Sequence, residues 1–128
     1  MKYEVKDIKL APKGHQKIEW VRNNMPILRG LEEEFNERKP FEGVKISLSI
    51  HMEAKTAYLC RVLAMGGAQL AATGSNVLST QDDVAAALAQ EGISVFAIHG
   101  ADNRTYNTHI EKCLEHKPNI IIDDGGDL

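Results

Sequence analysis

The chain has only two cysteines, no apolar run approaching the ~20 residues a membrane span needs, and no long block of one charge. Cys60 and Cys113 lie far apart inside helical patterns, without the paired spacing of a zinc site or the density of a disulfide scaffold, so reduced thiols are expected. The opening Met1-Lys2-Tyr3-Glu4-Val5-Lys6-Asp7 lacks the apolar core of a signal peptide, which points to a soluble, cytoplasmic protein. Fifteen Lys plus Arg stand against 18 Asp plus Glu, a formal charge of -3. With neither sign gathered into a patch, nucleic acid and anionic membranes are not expected partners. Nothing reads Gly-x-Gly-x-x-Gly after a strand, so no cofactor-binding residue is expected in this chain. Ser75 and Ser79 lack the Gly-x-Ser-x-Gly elbow of a nucleophilic serine, and no local ligand spacing supports a metal at the histidines and aspartates.

What is present is an even beat of short strand-like runs: Val44 to Ile50, Gln69 to Thr73, Ile93 to Ile98 and Asn119 to Ile122. Helical patterns fill the gaps, from about Ala54 to Met65, Thr80 to Gln90 and Asn103 to His116, with Gly66-Gly67 and Gly92 marking helix ends. Thr80 followed by Asp83 has the spacing of a cap that opens the middle one. Strand and helix alternating at this spacing mean right-handed crossovers and a parallel sheet. The expected fold is a three-layer α/β/α unit, flavodoxin- or Rossmann-like, with about four parallel strands, in one domain over residues 1–128. Two helices precede it, Gln16 to Asn23 and Pro26 to Arg38, and are expected to pack on the sheet's flank. The Glu32-Glu33-Glu34 run on the second reads as a solvated face.

In an open parallel sheet the ligand lies beyond the carboxyl ends of the strands. The residues just past each run are His51-Met52-Glu53-Ala54-Lys55-Thr56, then Gly74-Ser75-Asn76, then His99-Gly100, then Asp123-Asp124-Gly125-Gly126-Asp127. The polar candidates therefore collect on one rim. His15, His99, His109 and His116 read as surface or turn residues.

Several pieces in order, Asn24-Met25-Pro26, Ser49-Ile50-His51-Met52, Leu78-Ser79-Thr80-Gln81-Asp82 and Ile122-Asp123-Asp124-Gly125-Gly126-Asp127-Leu128, resemble the N-terminal part of the S-adenosyl-L-homocysteine hydrolases. The resemblance implies part of a substrate-binding domain in an oligomeric, NAD-dependent enzyme of the methyl cycle, which reversibly splits a nucleosidyl-homocysteine into nucleoside and homocysteine. In that family NAD oxidises the ribose 3'-hydroxyl, which acidifies the neighbouring C4' proton and allows homocysteine to leave. The NAD-binding domain is absent from these 128 residues, so the chain alone is expected to be inactive and to bind no cofactor. By motif match, His51 and Asp124 take the positions of the family's proton-transferring histidine and aspartate. Thr56 and Gln81 match positions near the purine, Asn76 lies on the rim, and Asp127 supports the glycine turn.

Many members carry His-x-Thr-x-Glu or His-x-Thr-x-Gln where this chain has His51-x-Glu53-x-Lys55. Adenine offers a donor amino group beside an acceptor nitrogen, whereas hypoxanthine offers an acceptor oxygen beside a donor N–H. Lys55 with Glu53 suits the second pattern, so S-inosyl-homocysteine is an expected substrate. The alternative is a stand-alone, non-catalytic module that binds nucleosides or self-associates through an uncovered last strand.

Overall fold

A computed structural model describes residues 3–128. Met1 and Lys2, which begin the segment read as lacking a signal-peptide core, lie outside the described residues. A two-residue strand β1 (Glu4–Val5) and a 3-10 turn (Ile8–Leu10) lead into helices α1 (Ala11–Asn23) and α2 (Pro26–Arg38). Then β2 (Lys45–Ile50), α3 (Ala54–Met65), β3 (Gln69–Gly74), α4 (Asp82–Gln90), β4 (Ser94–Ala97), α5 (Asn103–Glu115) and β5 (Ile120–Asp123) alternate. All strands are parallel, in the order β1-β4-β3-β2-β5. Among the described residues the sheet thus has five strands; β1, too short to show a period of its own, pairs Glu4 and Val5 with Phe96 and Ala97.

Alternation along the strands divides the core. Ile46, Leu48, Leu70, Ala72 and Val95 join Tyr58, Leu88 and the other buried side chains of α3 and α4 in one cluster. Ala71 and Phe96 point the other way and meet Cys113 of α5, where the Ser47 hydroxyl also donates to the Cys113 carbonyl at 2.8 Å. Both cysteines are free and buried, and loss of solvent pushes each thiol up to about 12. Outermost strand β5 leaves Ile120 42% and Ile121 47% exposed.

Helices α1 and α2 do not lie on the sheet's flank. They form a further layer outside α3 and α4, with α1 lying on α4 and α3 and α2 on α3. The first starts five residues earlier than its apolar pattern, because Pro12 in the first turn has no N–H to lose and Gly14 is needed for contact. A Cβ at Gly14 would sit 1.9 Å from the Asp83 carbonyl oxygen, so only glycine lets α1 approach the start of α4 this closely. Pro26 opens α2, and Lys39, in the left-handed region at φ 50°, closes it before Pro40.

Three readings of single residues are corrected. Glu32 is not on a solvated face: at 9% exposure it accepts two bonds from Arg22 Nε, at 2.8 and 3.1 Å, and one from the Tyr58 hydroxyl. His109 is not a surface residue but is 2% exposed beneath α5, beside Phe96. Thr80 does not cap α4 with Asp83; Gln81 occupies the cap position, and the Thr80 hydroxyl turns back to the Asn76 carbonyl at 3.3 Å.

Candidate active site at the strand tips

From β2 the chain steps to β3 and then β4 in one direction, whereas α5 carries it from β4 back across the sheet to β5 on the far side of β2. The helix that follows β2 lies on one face and the helix that precedes β5 on the other. The carboxyl ends of β2 and β5 therefore flank a topological switch point, where an open α/β sheet has its natural crevice. Ser49 pairs with Asp123 across them, and Asp124 N–H continues the ladder to the Ser49 carbonyl.

His51 leaves the tip of β2 and Asp124 the tip of β5. His51 Nε2 stands 3.7 Å from Asp124 Oδ2, with the two side chains 52% and 43% exposed. That gap is too long for a direct hydrogen bond and suits a hydroxyl or water held by both groups. On the other side of the ring, His51 Nδ1 is 2.7 Å from Ser79 Oγ, and the Ser79 hydroxyl donates to the Asn76 carbonyl at 3.0 Å. Because that hydroxyl donates to the carbonyl, Ser79 accepts from Nδ1–H, and Nε2 is left facing the crevice. Ser79 is thus a positioning residue that the sequence pattern did not reveal.

His51, Glu53, Lys55, Thr56, Gln81 and Asp124 line one hollow of about 460 Å³. Glu53 caps α3: its Oε1 accepts from the Thr56 N–H and hydroxyl at 3.0 and 3.3 Å. One carboxylate oxygen and Thr56 are thereby tied to the helix start. Lys55 makes no ion pair among the described residues, so its ammonium is free beside the hollow. Gln81 is drawn in by its N–H, which donates to the Met52 carbonyl at 2.9 Å, and its Oε1 accepts from Lys17 at 3.2 Å. Asn76 is not in this hollow. Its Oδ1 accepts from Leu78 N–H, and it lines a separate hollow of about 230 Å³ with Tyr106 and Asp127.

The acidic loop divides its labour differently from the sequence expectation. Asp123, not Asp127, supports the glycine turn, by accepting from Gly125, Gly126 and Leu128 N–H at 3.0, 3.0 and 3.1 Å. Partial desolvation alone would raise this carboxyl, but the three backbone bonds outweigh it and hold it below the usual range. Gly126 takes φ 78°, where a side chain would be strained. Asp127 instead accepts from the Tyr106 hydroxyl at 2.5 Å; burial first, then this carboxylate, push Tyr106 up to about 12. With Asp123 and Asp127 engaged, Asp124 is the aspartate left to face the crevice.

A pyrophosphate does not fit here. The start of α3 is capped by Glu53, the first turn of α4 carries Asp82 and Asp83, and α5 is capped by Asp102. Each helix N-terminus on the rim is thus supplied with the protein's own carboxylate where a bound dinucleotide would need the N–H groups. Among the described residues, no group of three or more His, Cys, Asp and Glu side chains gathers to hold a metal ion, and no helix is long and apolar enough to cross a membrane.

An open parallel sheet with histidine, carboxylate, lysine and amide groups collected at its switch point is an α/β unit with its polar groups at the edge where such sheets have their crevice. Comparison with known proteins narrows the class. The sequence pattern of the S-adenosyl-L-homocysteine hydrolases matches residues 2–128, and the chain belongs to that family. It is 53% identical over 126 residues to an adenosylhomocysteinase of Thermococcus kodakarensis and 52% identical over 129 residues to one of Gloeothece citriformis. It is also 51% identical over 126 residues to an S-inosyl-L-homocysteine hydrolase of Methanocaldococcus jannaschii. These matches cover 98, 100 and 98% of this chain, which spans about 30% of the length of each relative.

Proposed function

We propose that the chain supplies the N-terminal part of the substrate-binding domain of an NAD-dependent hydrolase that reversibly cleaves a nucleosidyl-homocysteine, with S-inosyl-homocysteine as a preferred substrate. The observation that carries this is the pairing of His51 with Asp124 at the switch point, beside a free Lys55. On this reading a ribose hydroxyl or the 5' position lies between the imidazole and the carboxylate, and the two groups hold and move a proton there. Glu53, Lys55, Thr56 and Gln81 face the purine, where Lys55 donates to the 6-keto oxygen of hypoxanthine. NAD would supply the redox chemistry of the full enzyme; the residues of this chain do not fit it, so its site belongs to other parts of the protein. Residues 1–128 alone, given NAD, are expected to show no turnover. The buried, reduced thiols suit a cytoplasmic setting in which the methyl cycle disposes of its thioether product.

The test is kcat/KM of the full-length protein for the inosyl and adenosyl thioethers. The inosyl compound should be preferred, and Lys55→Gln should shift the ratio toward the adenosyl compound by roughly tenfold or more. Turnover of the adenosyl thioether alone, unaffected by Lys55→Gln, would refute the purine assignment; turnover of neither would refute the hydrolase reading.

A second reading rests on the exposed Ile120 and Ile121 of the outermost strand. An apolar edge of this kind favours a self-associating module that binds nucleosides without chemistry. A mass measurement together with inosine titration separates the two readings, since a monomer that ignores nucleosides fits neither.

A further inference from the structure

Lys17 is three residues beyond Gly14 on α1, and the close approach that Gly14 permits carries it over the start of α4. Its ammonium meets Asp83 Oδ2 at 2.8 Å and Gln81 Oε1 at 3.2 Å. A cation beside a helix N-terminus opposes the helix dipole, and Asp83 alone would satisfy that end of α4. Lys17 is instead the counterion of the buried Asp83 carboxylate, and the same ammonium also reaches Gln81. Gln81 occupies the cap position yet makes no capping bond with its side chain, whose oxygen is held by Lys17 instead.

Lysine can only donate, so the Gln81 carbonyl oxygen must face it. The NH2 group is then turned away from Lys17, and among the described residues it has no partner of its own. Lys17, Trp20, Glu53, Lys55 and Gln81 line an annex of about 390 Å³ that shares Glu53, Lys55 and Gln81 with the His51 hollow.

We propose that Lys17 is a specificity-determining positioning residue: by holding the Gln81 oxygen, it fixes the amide with its NH2 toward the purine and makes that wall a second donor beside Lys55. This rests on the reading of the hollow as a purine site. Two donors complement the acceptor edge of a 6-keto purine and mismatch the amino group of adenine. Without Lys17 the amide is free to rotate and present oxygen or nitrogen, so discrimination weakens while binding persists.

The experiment compares the inosyl-to-adenosyl kcat/KM ratio in the full-length protein with its cofactor for wild type, Lys17→Met, Lys17→Arg and Gln81→Glu. Lys17→Met should lower the ratio by about tenfold, mainly by raising KM for the inosyl compound. Lys17→Arg, also a pure donor, should keep the ratio within about twofold. Gln81→Glu, with Lys17 intact, should lower it as well by replacing the NH2 with an acceptor. The wild-type value of the ratio judges the purine assignment, whereas its change on substitution judges Lys17. A folded Lys17→Met protein that loses activity on both substrates alike, or keeps the wild-type ratio, overturns the proposal. If that variant does not fold, an unchanged ratio in Gln81→Glu overturns it.

Discussion

Helix α3 carries two polar clusters little more than a turn apart, and they are put to opposite uses. At its start, Glu53, Lys55 and Thr56 border the hollow where His51 and Asp124 stand about half exposed and 3.7 Å apart, with room for a third group. One turn on, Tyr58 is fully buried and joins α3 to α1 and α2 through Glu32 and Arg22. There the hydrogen bonds close on one another. Burial alone would raise the Glu32 carboxyl, but Arg22 and Tyr58 outweigh it and hold it below its ordinary range; burial and Glu32 together push Tyr58 up to about 12. A charge cluster that satisfies itself fixes helices; one left partly unsatisfied at a strand tip is available to a ligand.

The largest effect should come from the open cluster. In the full-length protein, His51→Asn or Asp124→Asn should lower kcat/KM for the thioether by roughly a thousandfold, about 4 kcal/mol, with unchanged thermal unfolding. The double variant should cost little more than either single change, because on the proposed function the two groups serve one proton path. Full additivity in that cycle would dissolve the pair.

The closed cluster should behave the other way round. Glu32→Ala leaves the Tyr58 hydroxyl buried without its acceptor and should reduce unfolding free energy by about 2 kcal/mol, read from urea midpoints. Activity per folded molecule should stay within about twofold. A large loss of kcat/KM at unchanged stability would erase the distinction between the clusters.

A smaller effect sharpens the open side. Ser79→Ala removes the acceptor of His51 Nδ1–H and frees the ring to change tautomer and swing. A loss of about tenfold in kcat/KM is expected, carried mainly by kcat. Ser79→Thr, which keeps the hydroxyl, should recover most of it. An unchanged kcat/KM in the alanine variant would mean that Ser79 does not hold the ring.

Local signals made much of this legible. Pro26 and Lys39-Pro40 bracket α2 at the bounds read from sequence, and the rim residues His51, Glu53, Lys55, Thr56, Gln81 and Asp124 gather in one hollow, since a parallel sheet sends every strand tip to the same edge. The failures are tertiary. Glu32 looked solvated because its partners Arg22 and Tyr58 come from other helices. The apolar pattern marks α1 only from Gln16, since nothing local says that the Asp83 carbonyl lies against Gly14. Ser79 and Lys17 act on partners 28 and 64 residues distant, and no spacing pattern within one element encodes such a contact. The same holds for Asp123 and Asp127, whose roles depend on which aspartate of the loop meets Tyr106.

The smallest expected effect concerns a third setting, one neither open nor closed. His109 is 2% exposed, its Nε2 has no hydrogen-bond partner among the described residues, and Glu4 Oε2 lies 3.4 Å away. Burial lowers its pKa below the ordinary 6.5, and the attraction of Glu4 only partly offsets this. The folded protein therefore keeps His109 neutral at a pH where the unfolded chain has taken up a proton. The associated stability is present above the unfolded value and is lost as pH falls from there through the folded one. That window lies above the range in which Glu32 and Asp123, both held below ordinary carboxyl values, lose their charge. Urea midpoints of the wild type should therefore fall between pH 7.5 and 5.5 by more than those of His109→Gln, which has no proton to gain. Equal falls would show that Glu4 compensates for burial in full.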